Sequence, residues 1–239
     1  MSRQRILDFD GLVNARDLGG LAAAGGRTRW GAVVRAEHPA NLSASGWGDV
    51  QRHGVRTIID LTGEDEAEPD RGPRPAGMTT IRIPLDDPSD TEFWDRWGGV
   101  FSGTPLYYGP FLDRFPGRVA EVVDALVRAE PGGVLLHCGG GRDRTGLIVL
   151  VLLASLGVSA ADIAEDYALS HQRRAELCAM AGLGDDTPKI RAFLAERGTT
   201  EGRALDEVLG GRDFTDYLRT AGLGEEGLAA LRERLLDPA

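Results

Sequence analysis

A short aliphatic run, Gly-Val-Leu-Leu at 133–136, opens directly onto His-Cys-Gly-Gly-Gly-Arg-Asp-Arg-Thr-Gly and then onto the apolar stretch Leu-Ile-Val-Leu-Val-Leu-Leu-Ala-Ser-Leu at 147–156. That succession reads as a strand, a glycine-rich loop and a buried helix beginning near Thr145, with loop amides and the positive end of the helix dipole meeting at one point. The apolar stretch is about half of the ~20 residues that cross a bilayer as a helix, so it belongs to a core. A loop built this way favours an anion.

The rest of the chain supplies a matching frame. Residues 32–35, 57–61 and 133–137 have strand composition, the last two as central strands. Residues 43–53 form a helix capped by Ser43, and 118–130 carry Val119, Val122, Val123, Leu126 and Val127 at helical spacing. Strands alternating with helices predict an α/β fold, a mostly parallel central sheet flanked by helices, whose ligands bind beyond the carboxyl ends of the strands. Helices over 160–170, 188–196, 200–209, 214–221 and 225–236 predict a C-terminal helical layer. No repeat or low-complexity linker divides the 239 residues, which read as a single domain with 160–239 mostly helical. Gly and Pro cluster at 69–77 and 98–117, where surface loops are expected.

Composition narrows the partners. A formal charge of −10, from 27 Lys plus Arg against 37 Asp plus Glu, argues against a nucleic-acid surface and against stable membrane association. Cys138 and Cys178 are the two cysteines, too few for a disulfide framework and suited to a reducing cytosol. The N-terminal residues hold no apolar run of signal-peptide length, and a cytoplasmic location is expected.

A cysteine followed six positions later by an arginine, in a loop of glycines, faces a nucleophile and a forked cation toward one centre. Phosphate fits it: phosphoryl transfer needs an in-line nucleophile and stabilisation of the equatorial oxygens, which a guanidinium and convergent amides provide. Gly139, Gly140 and Gly141 let the amides converge, Arg142 and Asp143 complete the cradle, and the helix terminus and Arg144 favour a thiolate on Cys138. Thr145 is placed to donate a hydrogen bond to the sulfur when it leaves. His137 positions the loop. A Walker-type nucleotide loop is excluded, because the Gly-Lys-[Ser/Thr] ending is missing; a phosphate-binding module without hydrolysis is argued against by the intact Cys138, Arg144 and Thr145.

His-Cys-Gly-Gly-Gly-Arg-Asp-Arg-Thr-Gly resembles the H-C-x-x-G-x-x-R-[ST]-G signature of the cysteine-dependent protein tyrosine phosphatase superfamily. Asn-Ala-Arg-Asp-Leu-Gly-Gly at 14–20, the segments 33–43 and 57–61, the Arg-Asp-Arg-Thr-Gly ending and the C-terminal 216–236 are similar to bacterial tyrosine phosphatases with a lipid-phosphatase-like loop. The resemblance implies one phosphatase domain spanning 1–239, a phosphocysteine intermediate, no metal or other cofactor, and a phosphorylated protein, phosphoinositide or small phosphoester as substrate. Two positions depart from that subfamily: a lysine commonly precedes the loop aspartate where this chain has Arg142, and an arginine commonly follows Asp-Leu where it has Thr62.

The leaving oxygen needs a proton, so a carboxyl group must stand near it. The resemblance implies Asp143 first, with Asp86 and Asp87 on a mobile loop as alternatives, and each has a bland reading as a bracing carboxylate. Asp60 ends a strand and either supports the pocket by bonding Arg144 or substrate, or caps its own loop. The resemblance places Arg16, Asp17 and Arg35 in bracing ion pairs. Residues 88–117 form a candidate lid rich in rings, among them Phe93, Trp94, Trp97, Tyr107, Tyr108, Phe111 and Phe115, or an ordinary part of the core. His171 and Cys178 have no further Cys or His at zinc spacing and are read as structural.

Overall fold

A computed structural model describes residues 4–66 and 68–238. Its strands are β1 (Arg16–Asp17), β2 (Ala22–Ala23), β3 (Gly26–Thr28), β4 (Val33–Ala36), β5 (Val55–Asp60), β6 (Thr79–Arg82), β7 (Gly133–His137) and β8 (Leu236–Pro238). The main sheet has the order β1-β4-β7-β5-β6, with β4, β7, β5 and β6 mutually parallel and β1 antiparallel at one edge. Strand β7 has the predicted boundaries and lies at the centre. The parallel register sets Ala36, His137, Asp60 and Arg82 side by side at the carboxyl edge, so the four loops that follow them open onto one face.

The helices are α1 (Ala44–His53), α2 (Thr91–Trp97), α3 (Tyr108–Arg114), α4 (Pro116–Arg128), α5 (Asp143–Ser155), α6 (Ala160–Gln172), α7 (Arg174–Met180), α8 (Thr187–Glu196), α9 (Glu201–Gly210), α10 (Phe214–Leu218) and α11 (Gly224–Leu235). Capping chemistry sets many of their starts: Ser43, Ser159, Thr200 and Asp213 each accept a backbone N–H from the first turn of α1, α6, α9 and α10. Helix α1 packs on one face of the sheet, where Trp47 and Val50 meet Phe9, Val34, Ile58 and Leu135. On the other face α5 is buried almost throughout, between Val33, Ile59 and Leu136 on the sheet side and α4, α6 and α10 outside it. Burying each such Leu, Ile or Val contributes about 1.5–3 kcal/mol, and this helix contributes seven of them from Leu147 to Leu153.

Strands β1, β2, β3, β6 and β8 and helices α2, α3 and α7 were not expected from the sequence. Strand β6 is an edge strand whose residues are mostly exposed, so it shows no buried pattern. Helix α7 lacks any side-chain cap. The 214–221 helix stops at Leu218 and gives way to a wider turn in which Gly222 takes φ 116°. No helix among the described residues is long and apolar enough to cross a membrane.

Candidate active site

The loop from Cys138 to Arg142 leaves the carboxyl end of β7 and feeds α5, and its shape is fixed from behind. His38 N–H donates to the Gly139 carbonyl at 2.9 Å, Asn14 Nδ2 to that of Gly140 at 3.0 Å, and Arg35 Nη2 to that of Gly141 at 2.7 Å. A planar peptide whose carbonyl is tied on one side presents its N–H on the other, so three successive amides turn away from these anchors. Gly141 takes φ 65°, and a Cβ there would run into the backbone of Ala36 and Glu37. Helix α5 then starts without a side-chain cap, which leaves its first amides for an anion.

A buried ionic cluster holds those anchors. Asp166 on α6 accepts from Arg16 Nε at 3.0 Å and Arg35 Nη1 at 2.6 Å, and it also pairs with Arg5. Burial works against the charge on Asp166, but the arginines outweigh it and hold the carboxyl far below the usual range. Asp17 instead accepts the N–H groups of Gly19 and Gly31 and faces His53. The ion-pair bracing expected of Arg16 and Arg35 is thus realised, with Asp166, Asn14 and Ser170 as partners the sequence did not point out, whereas Asp17 braces backbone N–H groups instead.

Cys138 is 3% exposed, on the floor of the loop. Arg144 donates through both terminal nitrogens to Glu66, at 2.5 and 2.6 Å, and its Nη1 lies 3.6 Å from Asp86. Burial disfavours the Arg144 charge, yet the Glu66 bonds and the charge on Cys138 outweigh it, which places the sulfur within the field of the guanidinium. Glu66 sits in an acidic run after β5 that carries no motif. The fully buried Thr145 has no hydrogen-bond partner for Oγ1 among the described residues, so the predicted bond to the sulfur is not made in this state.

Three other expectations need restating. The Arg142 side chain is 1% exposed and turned inward, with Nη2 donating to the Gly103 carbonyl at 2.6 Å and Nε 3.1 Å from Asp143; the side chain is spent on the protein and does not reach into the cradle. Asp60 bonds Thr62 through Oδ1 and Arg82 through Oδ2, and no bond to Arg144 is formed. Burial tends to raise its pKa, but His137, Thr62 and Arg82 together lower it. His137 is buried against Asp60 and His38, and burial pushes its pKa down to about 4, which keeps the ring neutral.

The three carboxyls proposed for proton transfer have different surroundings. Asp86, Asp143 and Arg144 line an open cavity of ≈520 Å³ together with Trp94 and Tyr107. Burial raises Asp86 to about 6 against the pull of Arg144. Asp143 is engaged by Arg142 Nε. Asp87 is held by Ser89 and Arg118, which lower its pKa, and it does not line that cavity. Arg118 also donates to the Pro84 carbonyl and Trp94 Nε1 to that of Asp87, so the loop carrying Asp86 is clamped at both sides.

The ring-rich segment is chiefly core. Phe93, Tyr107, Tyr108, Phe111 and Phe115 are buried in edge-to-face or tilted contacts, and Tyr108 donates to the Asp143 carbonyl at 2.8 Å, bracing the first turn of α5. His171 pairs with Glu201 at 2.9 Å. Cys178 comes within 4.8 Å of Asp185 and Asp186, but Asp186 is already taken by Arg174.

A cysteine on an amide-lined loop at the uncapped start of a buried helix, with an arginine beside it, is the arrangement that cysteine-dependent phosphoryl transfer requires. The tyrosine phosphatase family matches residues 7–237, and the chain belongs to it as a phosphatase. Among relatives, a protein of Cupriavidus necator named as a tyrosine-protein phosphatase is 34% identical over 230 residues, covering 90% of this chain and 83% of its own. The triple specificity protein phosphatase PtpB of Mycobacterium tuberculosis is 26% identical, covering 97% and 99%. A solved structure, TpbA of P. aeruginosa in complex with pTyr, aligns with a TM-score of 0.43 at 19% identity, covering 82% of this chain and 89% of that one.

Proposed function

We propose that this phosphatase hydrolyses phosphotyrosine esters through a phosphocysteine on Cys138. The observation that carries the reading is that one loop at the carboxyl edge of the sheet holds Cys138 and runs into the uncapped amides of α5, with the Arg144 guanidinium close against Gly139 of the same loop. The sulfur anion attacks phosphorus and the ester P–O bond breaks. Asp86 gives its proton to the departing aryl oxide, then as a carboxylate takes one from water, which attacks the phosphocysteine; the S–P bond breaks and orthophosphate leaves with the thiolate restored. We assign the acid to Asp86 rather than Asp143, because two carboxyls in one site take different roles when their environments differ: burial raises Asp86 to about 6, whereas Asp143 is engaged by Arg142 Nε. The loop amides of residues 139–143 and Arg144 bear the equatorial charge. The partnerless Thr145 hydroxyl, costly to bury at ~1–3 kcal/mol, finds its use on the leaving sulfur.

Aromatic esters are favoured by the half-buried Trp94 on the cavity wall, which can stack on a ring. Two free cysteines accord with a reducing cytoplasmic setting, where a catalytic thiolate persists. Cys138→Ser is expected to abolish release of phosphate from p-nitrophenyl phosphate, by at least ~10³-fold in kcat, with an unchanged circular dichroism spectrum. Retained turnover would overturn the mechanism.

A further inference from the structure

A second cavity of ≈500 Å³ adjoins the phosphate loop on the side away from Asp86, against Gly139 and Gly140. One wall is apolar: Leu177, Met180 and Leu183, at the end of α7 and just beyond it. Large exposed apolar side chains are few among the described residues, Ile6, Met180 at 39% and Leu183 at 67%, and two of the three line this one cavity. Scattered singly they would mean nothing; paired beside a reactive loop they form a contact surface. The rest of the lining is acidic, with the exposed Glu66 and Glu68 and the buried Glu37 set against a single arginine, Arg71.

The charge balance changes when substrate arrives. In the free protein Glu66 is neutralised by Arg144. A phosphate dianion on Arg144 competes for that guanidinium and leaves Glu66 with uncompensated charge beside Glu68. A basic side chain carried by the substrate restores the balance, whereas a further phosphate adds repulsion. The loop offers no spare cation for a further phosphate, since Arg142 is buried on Gly103 and Asp143.

Resting on the phosphotyrosine reading, we infer that the substrate is a singly phosphorylated polypeptide, with basic and apolar residues flanking the phosphorylated side chain and lying in the cavity lined by Glu68, Met180 and Leu183. Such a segment places its ring in the Trp94 cavity and its neighbours across residues 139–140. A polyphosphorylated inositol headgroup meets the two exposed carboxylates, Glu66 and Glu68, there for one arginine.

The test compares kcat/KM of the purified full chain on two matched phosphotyrosine peptides, one flanked by Arg and Leu and one by Glu, with p-nitrophenyl phosphate as the flank-free reference and vesicles bearing a bisphosphorylated inositol lipid as the competing class. The basic, apolar peptide is expected to lead the acidic one by about 10-fold at low salt, the ratio shrinking as salt is raised. Glu68→Arg should bring the two peptides within about 2-fold of each other and leave p-nitrophenyl phosphate unchanged, and Leu183→Ser should raise KM for the favoured peptide alone. Equal rates on both peptides, a ratio indifferent to Glu68→Arg, or faster turnover of the inositol lipid than of either peptide would overturn the inference while leaving the phosphatase reading intact. Failure to hydrolyse p-nitrophenyl phosphate at all would instead overturn the reading beneath it.

Discussion

Asp86 carries the strongest residue-level consequence. Its carboxyl is raised by burial to about 6 from an ordinary value of 3.8, so the protonated form persists toward neutral pH. A general acid acts only while protonated, and kcat on a phosphotyrosine peptide is therefore expected to fall as pH rises through about 6 and beyond. Asp86→Asn should remove that limb and lower kcat by ~10²-fold or more, with a smaller effect on p-nitrophenyl phosphate, whose leaving group needs no proton. A limb that survives in Asp86→Asn and vanishes in Asp143→Asn would return the role to Asp143. The raised value also has a stability cost of known sign: an acid whose pKa is higher when folded stabilises below 3.8 and loses that contribution as pH rises to about 6. The asparagine variant should accordingly show a higher Tm at pH 7 than the parent, measured by scanning calorimetry, even as its activity falls.

At the scale of elements, what was legible followed from local pattern, and what was missed followed from distance along the chain. Strand β7 and its loop were readable because a fully buried parallel strand is continuously apolar and the glycines have a single steric use. Helix α1 was readable from Ser43, whose hydroxyl caps Gly46. Strand β6, exposed at the sheet edge, has no such pattern. Arg16 and Asp166 meet across 150 positions, and Arg144 and Glu66 across 78, and nothing near Asp166 or Glu66 distinguishes either from the many solvated carboxylates of an acidic chain. Arg142 was misjudged because its side-chain direction depends on the carbonyl of Gly103, 39 positions away. The α6 contact gives a prediction. Asp166→Asn strands Arg16 and Arg35, both nearly fully buried, beside each other without an anion; the expected loss is about 3–5 kcal/mol in urea unfolding. Arg35 also holds the Gly141 carbonyl, so kcat/KM should drop more than the folded fraction accounts for.

For the whole molecule, the C-terminal helices present themselves as a layer but are joined to the remainder at every side. Strand β8 pairs with β3, Arg29 N–H donates to the Leu235 carbonyl at 2.7 Å, Thr215 bonds the Ser155 carbonyl at the end of α5, and Tyr217 bonds that of Leu112. Phe214, Leu218, Leu223, Leu228, Leu231 and Leu235 are buried in the same cluster as α5 and the sheet. At about 1.5–3 kcal/mol each, these six side chains represent roughly 9–18 kcal/mol of burial, comparable to the ~5–15 kcal/mol net stability of a typical domain. We propose on that ground that the chain is one cooperative domain. Removal of residues 213–239 should leave a protein with no cooperative unfolding transition and no phosphatase activity, although none of those residues lines the site. The subtler variant Leu231→Ala should lower stability by about 2–5 kcal/mol while the active-site loop unfolds at the same denaturant midpoint as the C-terminal helices, read by hydrogen exchange in both regions. Exchange that opens 213–238 well before residues 137–146 would divide the chain into two units, with the helical layer as the separable one.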